Sequence, residues 1–73
     1  MKILVTGSSG TIGTRLCEQL MAAGHTVIGV DRVPNKWQAS VQKITIIADL
    51  LENDPMKNVP KDIDCIVHLA ANA

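Results

Sequence analysis

The chain has 73 residues, of which 47% are hydrophobic, with seven basic and seven acidic side chains. A chain this short forms at most one small domain, and its balanced charge gives no electrostatic reason to expect nucleic acid or an anionic membrane as a partner. No apolar run approaches the ~20 residues that span a bilayer, and the run before Thr6 is too short for a signal peptide, so we expect a cytoplasmic location. The two cysteines, Cys17 and Cys65, lack metal-binding spacing, and we expect both to be buried free thiols, with no metal site.

The first two predicted elements are a strand and a helix. Residues 3–5 form a continuous apolar run, which is typical of a strand covered on both faces in a parallel sheet. After a glycine-rich segment, Ile12, Leu16 and Leu20 recur every four residues and predict one apolar helical stripe. The helix is expected to end just before Gly24, which supplies a stop signal.

Three further strands are predicted from apolar, largely β-branched runs at residues 26–30, 44–48 and 63–69. Residues 33–42 contain a proline and lack a clean helical period, so this segment is expected to be a loop or a short helix. Because crossovers between parallel strands are right-handed, the economical topology places the first strand near the centre of an open sheet. We therefore predict one α/β domain over residues 1–73, a partial doubly wound (Rossmann) parallel sheet of about four strands with one clear crossover helix.

Three glycines at a spacing of three, Gly7, Gly10 and Gly13, lie between the first strand and the helix. We expect Gly7 to allow the sharp turn, Gly10 to let backbone approach a phosphate, and Gly13 to let the helix pack closely. The N–H groups of Thr11 and Ile12, at the positive end of the helix dipole, would then face the anion. A purely structural turn is the alternative, and a triphosphate loop is disfavoured because the helix does not start with Gly-Lys-Ser/Thr. The pattern favours the pyrophosphate of a dinucleotide.

An acidic residue, Asp31, closes the second predicted strand 18 residues after Gly13. At this position a carboxylate accepts hydrogen bonds from the ribose hydroxyls of the adenosine half and would repel a 2′-phosphate. The adjacent Arg32 could instead pair with such a phosphate or stack on adenine. NAD is therefore favoured over NADP, and the alternative for Asp31 is a solvated carboxylate at a strand end.

Two more side chains have competing interpretations. Histidine is a frequent acid–base catalyst, but no nucleophile or metal partner for His68 occurs at a recognisable spacing, so we favour a structural residue over a catalytic one. Trp37, the only aromatic residue, either covers the edge of the adenine or patches apolar surface, and the second role is favoured.

Four segments occur in a familiar order: TGSSGTIG at residues 6–13, Asp31-Arg32, Asp49-Leu50, and HLAA at residues 68–71. Together they resemble the extended short-chain dehydrogenase/reductases, in particular the NAD-dependent epimerase/dehydratase group, which acts largely on nucleotide sugars. The resemblance covers the whole chain.

The resemblance implies further cofactor contacts. Asp49 would accept a hydrogen bond from the adenine amino group while Leu50 backs the ring. Leu69, Ala70 and Ala71 would pass beneath the pyrophosphate and the nicotinamide ribose. Without the resemblance, Asp49 is a strand-end acid that could equally cap the turn after it.

The reaction of that family depends on a Tyr-xxx-Lys pair, and this chain contains no tyrosine. We therefore assign no catalytic residue and expect an NAD-binding N-terminal portion of an epimerase/dehydratase-type oxidoreductase acting on a nucleotide sugar, without its catalytic half. The alternatives are a stand-alone dinucleotide-binding or regulatory module and an inactive truncated product. The fourth strand would be an uncovered apolar edge, so we also expect either self-association or a missing C-terminal half beside it.

Overall fold

The computed structural model describes residues 1–49 and 58–70. Within them the chain forms four strands and two helices. In chain order these are β1 (Lys2–Thr6), α1 (Thr11–Ala22), β2 (Thr26–Asp31), α2 (Ala39–Ile44), β3 (Thr45–Ile47) and β4 (Cys65–His68).

The four strands form one parallel sheet in the order β3-β2-β1-β4. In register, Thr6 of β1 lies beside Val30 of β2 and His68 of β4, and Asp31 lies beside Ile47 of β3. The chain therefore adds strands on one side of β1 and then crosses to its other side for β4. This topology confirms the prediction of an α/β, doubly wound parallel sheet with β1 inside it.

The core lies between the sheet and the two helices. Ile3, Val5 and Val27 point from the sheet toward Cys17 of α1 and Val41 of α2, and all five are buried. Side chains alternate between the faces of a strand, so the neighbouring Leu4 points away from these helices, yet it is buried as well. Burial on both faces explains why β1 is continuously apolar rather than alternating.

Helix α1 ends as the sequence predicts. Gly24 has a positive φ of 90°, its N–H donates to the Met21 carbonyl at 3.0 Å, and the His25 N–H donates to the Leu20 carbonyl at 3.1 Å. These bonds satisfy carbonyls at the end of the helix and turn the chain into β2.

Three expectations about individual residues are wrong. Ile12 is 73% exposed, because α1 instead directs Gly13, Thr14 and Cys17 inward. Ile44 belongs to the end of α2 rather than to the third strand, because the Thr45 hydroxyl donates to the Val41 carbonyl (2.7 Å) and closes a last helical turn. Cys65 is exposed rather than buried, since it lies on β4, the outermost strand on its side of the described sheet.

At the amino ends of the strands, an ion pair and a hydrogen bond join β1 to the residues that precede β4. Lys2 Nζ lies 3.0 Å from Asp62 Oδ1, and the Lys2 backbone N–H donates to Asp64 Oδ2 at 2.8 Å. The hydrogen bond from Lys2 lowers the pKa of the Asp62 carboxyl. No helix in the described part of the chain is long and apolar enough to cross a membrane.

Candidate functional site

The carboxyl ends of the parallel strands meet at one edge of the sheet. Thr6, Asp31 and His68 end β1, β2 and β4 at this edge. The chain adds β2 and β3 on one side of β1 and then returns to place β4 on the other side, so the strand order reverses between β1 and β4. Ligands of open α/β sheets bind in the crevice at such a point. The glycine-rich turn follows β1 directly into this region.

Gly7 begins the turn with a left-handed conformation, φ 78°, which side chains with a Cβ rarely adopt. Its N–H donates to the Val30 carbonyl at 2.8 Å, which anchors the turn to β2. A Cβ at this position would lie 2.9 Å from the Ala70 nitrogen and 3.0 Å from the Leu69 carbonyl carbon. Gly7 therefore lets the segment after β4 pass directly against the turn.

The two later glycines differ in what surrounds them. A Cβ on Gly13 would collide with the Gly7 carbonyl oxygen and would come within 3.0 Å of the Ser8 Cα. A Cβ on Gly10 would meet only the Gly7 carbonyl oxygen, at an ordinary 3.6 Å. The chain itself therefore requires a small residue at Gly13, where α1 packs on the turn, whereas at Gly10 it leaves open space.

The start of α1 presents backbone donors without partners. Gly10 is its N-cap and provides no side-chain hydrogen bond to the first turn. The Thr14 N–H donates to the Gly10 carbonyl at 2.8 Å, whereas the N–H groups of Thr11, Ile12 and Gly13 meet no acceptor within the described part of the chain. Unpaired N–H groups at the positive end of a helix dipole form an anion-binding surface.

The carboxylate of Asp31 lies against the turn. Its Oδ2 accepts the Ser9 N–H at 2.9 Å, and its Oδ1 accepts the Val33 N–H at 3.3 Å. The Ser9 hydroxyl donates to the Val33 carbonyl at 2.7 Å, so the turn and the segment after β2 are joined twice. A carboxylate has about four acceptor positions, which leaves about two for a ligand. The neighbouring Arg32 is exposed to solvent.

The other predicted cofactor residues fall partly within the described residues. Asp49 lies two residues beyond Ile47, the partner of Asp31 in the sheet, and so at the same edge. Leu69 and Ala70 are also at this edge, against Gly7. Leu50 and Ala71 lie outside the described residues.

A hydrogen-bonded cluster joins the ends of β1 and β4. The buried Thr6 hydroxyl lies 2.7 Å from His68 Nδ1 and also accepts the N–H groups of Leu69 (3.1 Å) and Ala70 (3.4 Å). These contacts join the end of β4 to the end of β1 and favour the structural interpretation of His68.

Sequence reasoning missed Asn35 and Thr14. The Asn35 side chain is 2% exposed and donates from Nδ2 to the Ser8 carbonyl (3.0 Å) and to Thr14 Oγ1 (2.7 Å). Its Oδ1 accepts the N–H groups of Trp37 and Gln38, each at 2.9 Å. The available signal was a Pro-Asn pair within an aperiodic segment, because asparagine favours turns in which its side chain caps nearby N–H groups.

Trp37 lies beside α1. The residue is 53% exposed, and Lys36 Nζ lies 5.6 Å from the centroid of its ring. With Arg15 and Glu18 of α1 it lines an open groove of about 470 Å³. This placement favours a surface role for Trp37. The described residues contain no group of three His, Cys, Asp or Glu side chains that could hold a metal ion.

Comparison with known proteins agrees with this geometry. The sequence profile of the NAD dependent epimerase/dehydratase family matches residues 3–73. The chain belongs to this family. It is 36% identical over 70 residues to a 3-beta-hydroxysteroid dehydrogenase of Mycolicibacterium neoaurum, covering 96% of this chain and 19% of that protein. It is 28% identical to a UDP-glucose 4-epimerase of Bacillus subtilis, covering 96% of this chain and 24% of that protein.

Two solved structures of the superfamily superpose on the whole chain. A short-chain dehydrogenase/reductase superfamily protein from Agrobacterium tumefaciens, crystallised with bound NAD, matches with a TM-score of 0.82 and 26% identity. A UDP-galactose 4-epimerase matches with a TM-score of 0.79 and 28% identity. This chain covers 21% and 25% of those structures, so it spans about a quarter or less of the proteins named here. The resemblance to short-chain dehydrogenase/reductases is confirmed.

Proposed function

We propose that this epimerase/dehydratase-family chain binds NAD at the carboxyl edge of its sheet. The observation that carries the proposal is the set of N–H groups of Thr11, Ile12 and Gly13, which meet no acceptor among residues 1–49 and 58–70 and lie beside an open Gly10. Two negative phosphates match these donors and the positive end of the α1 dipole. Leu69 and Ala70, which lie against Gly7 across the crevice, supply a floor for the rest of the cofactor.

Asp31 supports the choice of NAD over NADP. Its carboxylate faces the same turn and keeps acceptor positions for two ribose hydroxyls. A 2′-phosphate in that place would meet a like charge, which is unfavourable at short range even with solvent screening. Asp49 at the end of β3 is proposed to accept the adenine amino group, and Arg32 to lie over the solvent side of the adenosine.

In the whole protein, the proposed activity is that of an NAD-dependent epimerase, dehydratase or reductase with a nucleotide sugar as substrate. The similarity to a UDP-glucose 4-epimerase supports this substrate class. The chain has no tyrosine, so we propose that the proton-transfer groups are supplied from outside these 73 residues. Conversion of UDP-glucose, compared with that of a 3β-hydroxysteroid, tests the substrate class in the protein that carries both parts.

We also propose that β4 pairs with a further strand, in the isolated chain with a second copy of itself. Among the described strands β4 is outermost, and its Ile66 is 60% exposed. An outer strand presents unpaired N–H and C=O groups that favour pairing with another chain.

The cofactor proposal is tested by calorimetric titration of the chain with NAD, beside the variant Gly10→Val. A Cβ added at Gly10 would make one ordinary contact and otherwise face open space, so the variant is expected to fold. Its side chain should nevertheless keep the pyrophosphate from the helix N–H groups and weaken NAD binding at least about tenfold, the loss expected for one or two charge-assisted hydrogen bonds.

Thr26→Val is the control, since Thr26 is exposed at the opposite end of β2. The substitution introduces a valine far from the glycine-rich turn. This variant should therefore bind NAD with the affinity of the parent chain. Unchanged affinity in Gly10→Val, or no affinity in a folded parent chain, would overturn the assignment of this site.

A further inference from the structure

Asn35 uses its full hydrogen-bonding capacity inside the protein. Its two side-chain protons go to the Ser8 carbonyl and the Thr14 hydroxyl, and its oxygen receives the N–H groups of Trp37 and Gln38. An amide side chain has two donors and two lone pairs, so none is left for a ligand. At 2% exposure the side chain is also closed to solvent. Whatever Asn35 contributes, it contributes through its neighbours.

One of these partners, Thr14, connects Asn35 to the glycine-rich turn. The Thr14 hydroxyl, which accepts from Asn35, lies 2.7 Å from the Gly10 carbonyl and 3.3 Å from the Ser8 carbonyl. It has one proton, and the shorter distance directs that proton to Gly10. A continuous relay therefore runs from Asn35 through Thr14 to the carbonyl of Gly10.

This relay helps to hold two peptide planes of the turn, together with the Thr14 backbone N–H, which donates to the same Gly10 carbonyl at 2.8 Å. In a trans peptide the C=O and the following N–H point in opposite directions. Holding the Gly10 carbonyl inward therefore points the Thr11 N–H outward, where no acceptor meets it within the part of the chain that the structure describes. Holding the Ser8 carbonyl in the same way aims the Ser9 N–H at Asp31, with which it makes its 2.9 Å hydrogen bond. One buried amide thus orients both a phosphate-facing donor and the contact to the ribose-facing acid.

We propose that Asn35 is a positioning residue for dinucleotide binding, which holds the glycine-rich turn in its phosphate-accepting form without touching the ligand. The proposal rests on the proposed function, because it concerns the same site. It predicts that the loss of Asn35 weakens ligands that carry a diphosphate more than ligands without phosphate. The reason is that the relay ends on the donor that faces the phosphate.

The decisive variant is Asn35→Asp. Aspartate has the same shape, and its oxygens still accept the N–H groups of Trp37 and Gln38, so the local turn is preserved. It cannot donate to Ser8 or Thr14, and its charge would face the Ser8 carbonyl. We expect roughly tenfold weaker binding of NAD and of ADP, the loss expected for hydrogen bonds made to a buried site. Binding of adenosine, followed by NMR titration, should weaken less than that of ADP.

A second pair of variants tests the relay at Thr14. Thr14→Val removes the hydroxyl while keeping the branched shape, and Thr14→Ser keeps the hydroxyl. We expect Thr14→Val to weaken ADP binding about as much as Asn35→Asp does, and Thr14→Ser to retain the parent affinity. The double variant Asn35→Asp/Thr14→Val should bind ADP no more weakly than either single variant, because both interrupt one relay.

The outcomes separate this inference from the proposed function. If the parent chain is folded and binds neither NAD nor ADP, the proposed function fails. If the parent chain binds both and Asn35→Asp binds ADP equally well, or loses adenosine to the same extent as ADP, the positioning role is overturned while the proposed function stands. If Asn35→Asp gives no dispersed amide spectrum, the comparison of Thr14→Val with Thr14→Ser decides, and equal ADP affinity in these two variants contradicts the relay.

Discussion

Replacing Gly13 with alanine should cost much more stability than the same replacement at Gly10. At Gly13 the added methyl would collide with the Gly7 carbonyl oxygen and lie 2.9 Å from the Gly7 carbonyl carbon. Gly7 cannot move aside easily, because its N–H is bonded to the Val30 carbonyl at 2.8 Å. Helix α1 must therefore shift away from the turn that it packs on.

The magnitudes follow from two opposing terms. Overpacking of this kind costs about 1–3 kcal/mol or more, and contact with backbone places Gly13→Ala at the upper end. Alanine returns up to ~1 kcal/mol of helix propensity, so the net loss is about 2 kcal/mol. At Gly10, with φ −76° and ψ 169°, any residue fits, and replacing an N-cap glycine costs ~1 kcal/mol or less.

Thermal and urea denaturation followed by far-ultraviolet circular dichroism would measure this difference. In a domain of this size 1 kcal/mol shifts Tm by about 4–8 °C, so Gly13→Ala should melt roughly 10 °C or more below the parent chain and Gly10→Ala within about 8 °C of it. Equal melting temperatures for Gly13→Ala and the parent chain would refute the close packing of α1 on the turn.

Three further predictions concern charge, pH and association. Asp31→Asn keeps an acceptor for the Ser9 N–H but removes the negative charge. In parallel titrations it should lower the preference for NAD over NADP by about fivefold or more, corresponding to ~1 kcal/mol of repulsion. An unchanged ratio of the two affinities would mean that Asp31 is not near the 2′ position. Burial raises the pKa of Cys17 from 9.0 to about 11. The free energy of unfolding should therefore fall by roughly 2–3 kcal/mol as the pH rises from about 9 to about 11. Urea denaturation of Cys17→Ala should not show this dependence on pH. Ile66→Lys places a charge on β4 and should convert a self-associating chain to monomer in sedimentation at tens of micromolar; a parent chain that is already monomeric would contradict pairing through β4.

Much of the fold was predictable because local signals coincide. The apolar run of β1, the glycine-rich turn, the helical spacing of α1 and the stop at Gly24 all favour the same strand-turn-helix unit, which the structure confirms. Parallel pairing then follows because about a dozen or more residues separate successive strands, which is the length of a crossover rather than of a hairpin turn. The handedness of the crossovers limits the topology further. The order of the strands around β1 likewise follows from these general rules for crossovers rather than from any single residue.

The errors occur where tertiary contacts decide. Periodicity predicts an inward Ile12, but the close approach at Gly13 turns α1 so that Ile12, about 100° away on the helix, faces solvent. Ile44 has β-branched neighbours typical of a strand, yet the buried Val41 and the Thr45 hydroxyl hold this segment in a helical turn.

The candidate site was only partly visible in the sequence. The glycines and Asp31 have a recognised spacing, so their convergence at one edge of the sheet was predictable. The bonds from Asn35 to Ser8 and Thr14 span 27 and 21 residues, and nothing in the local sequence indicates such partners.

The central claim is that the glycine-rich turn and the carboxyl edge of the sheet bind NAD. An amide-resolved NMR titration of the chain with NAD tests it most directly, since one spectrum reports both folding and the location of binding. The account predicts a dispersed spectrum in which the shifts of residues 7–13, Asp31, Asp49 and residues 69–70 move with NAD, while those at the amino ends of the strands, such as Lys2 and Thr26, stay in place. A dispersed spectrum that NAD leaves unchanged, or shifts that concentrate away from the turn, would contradict it.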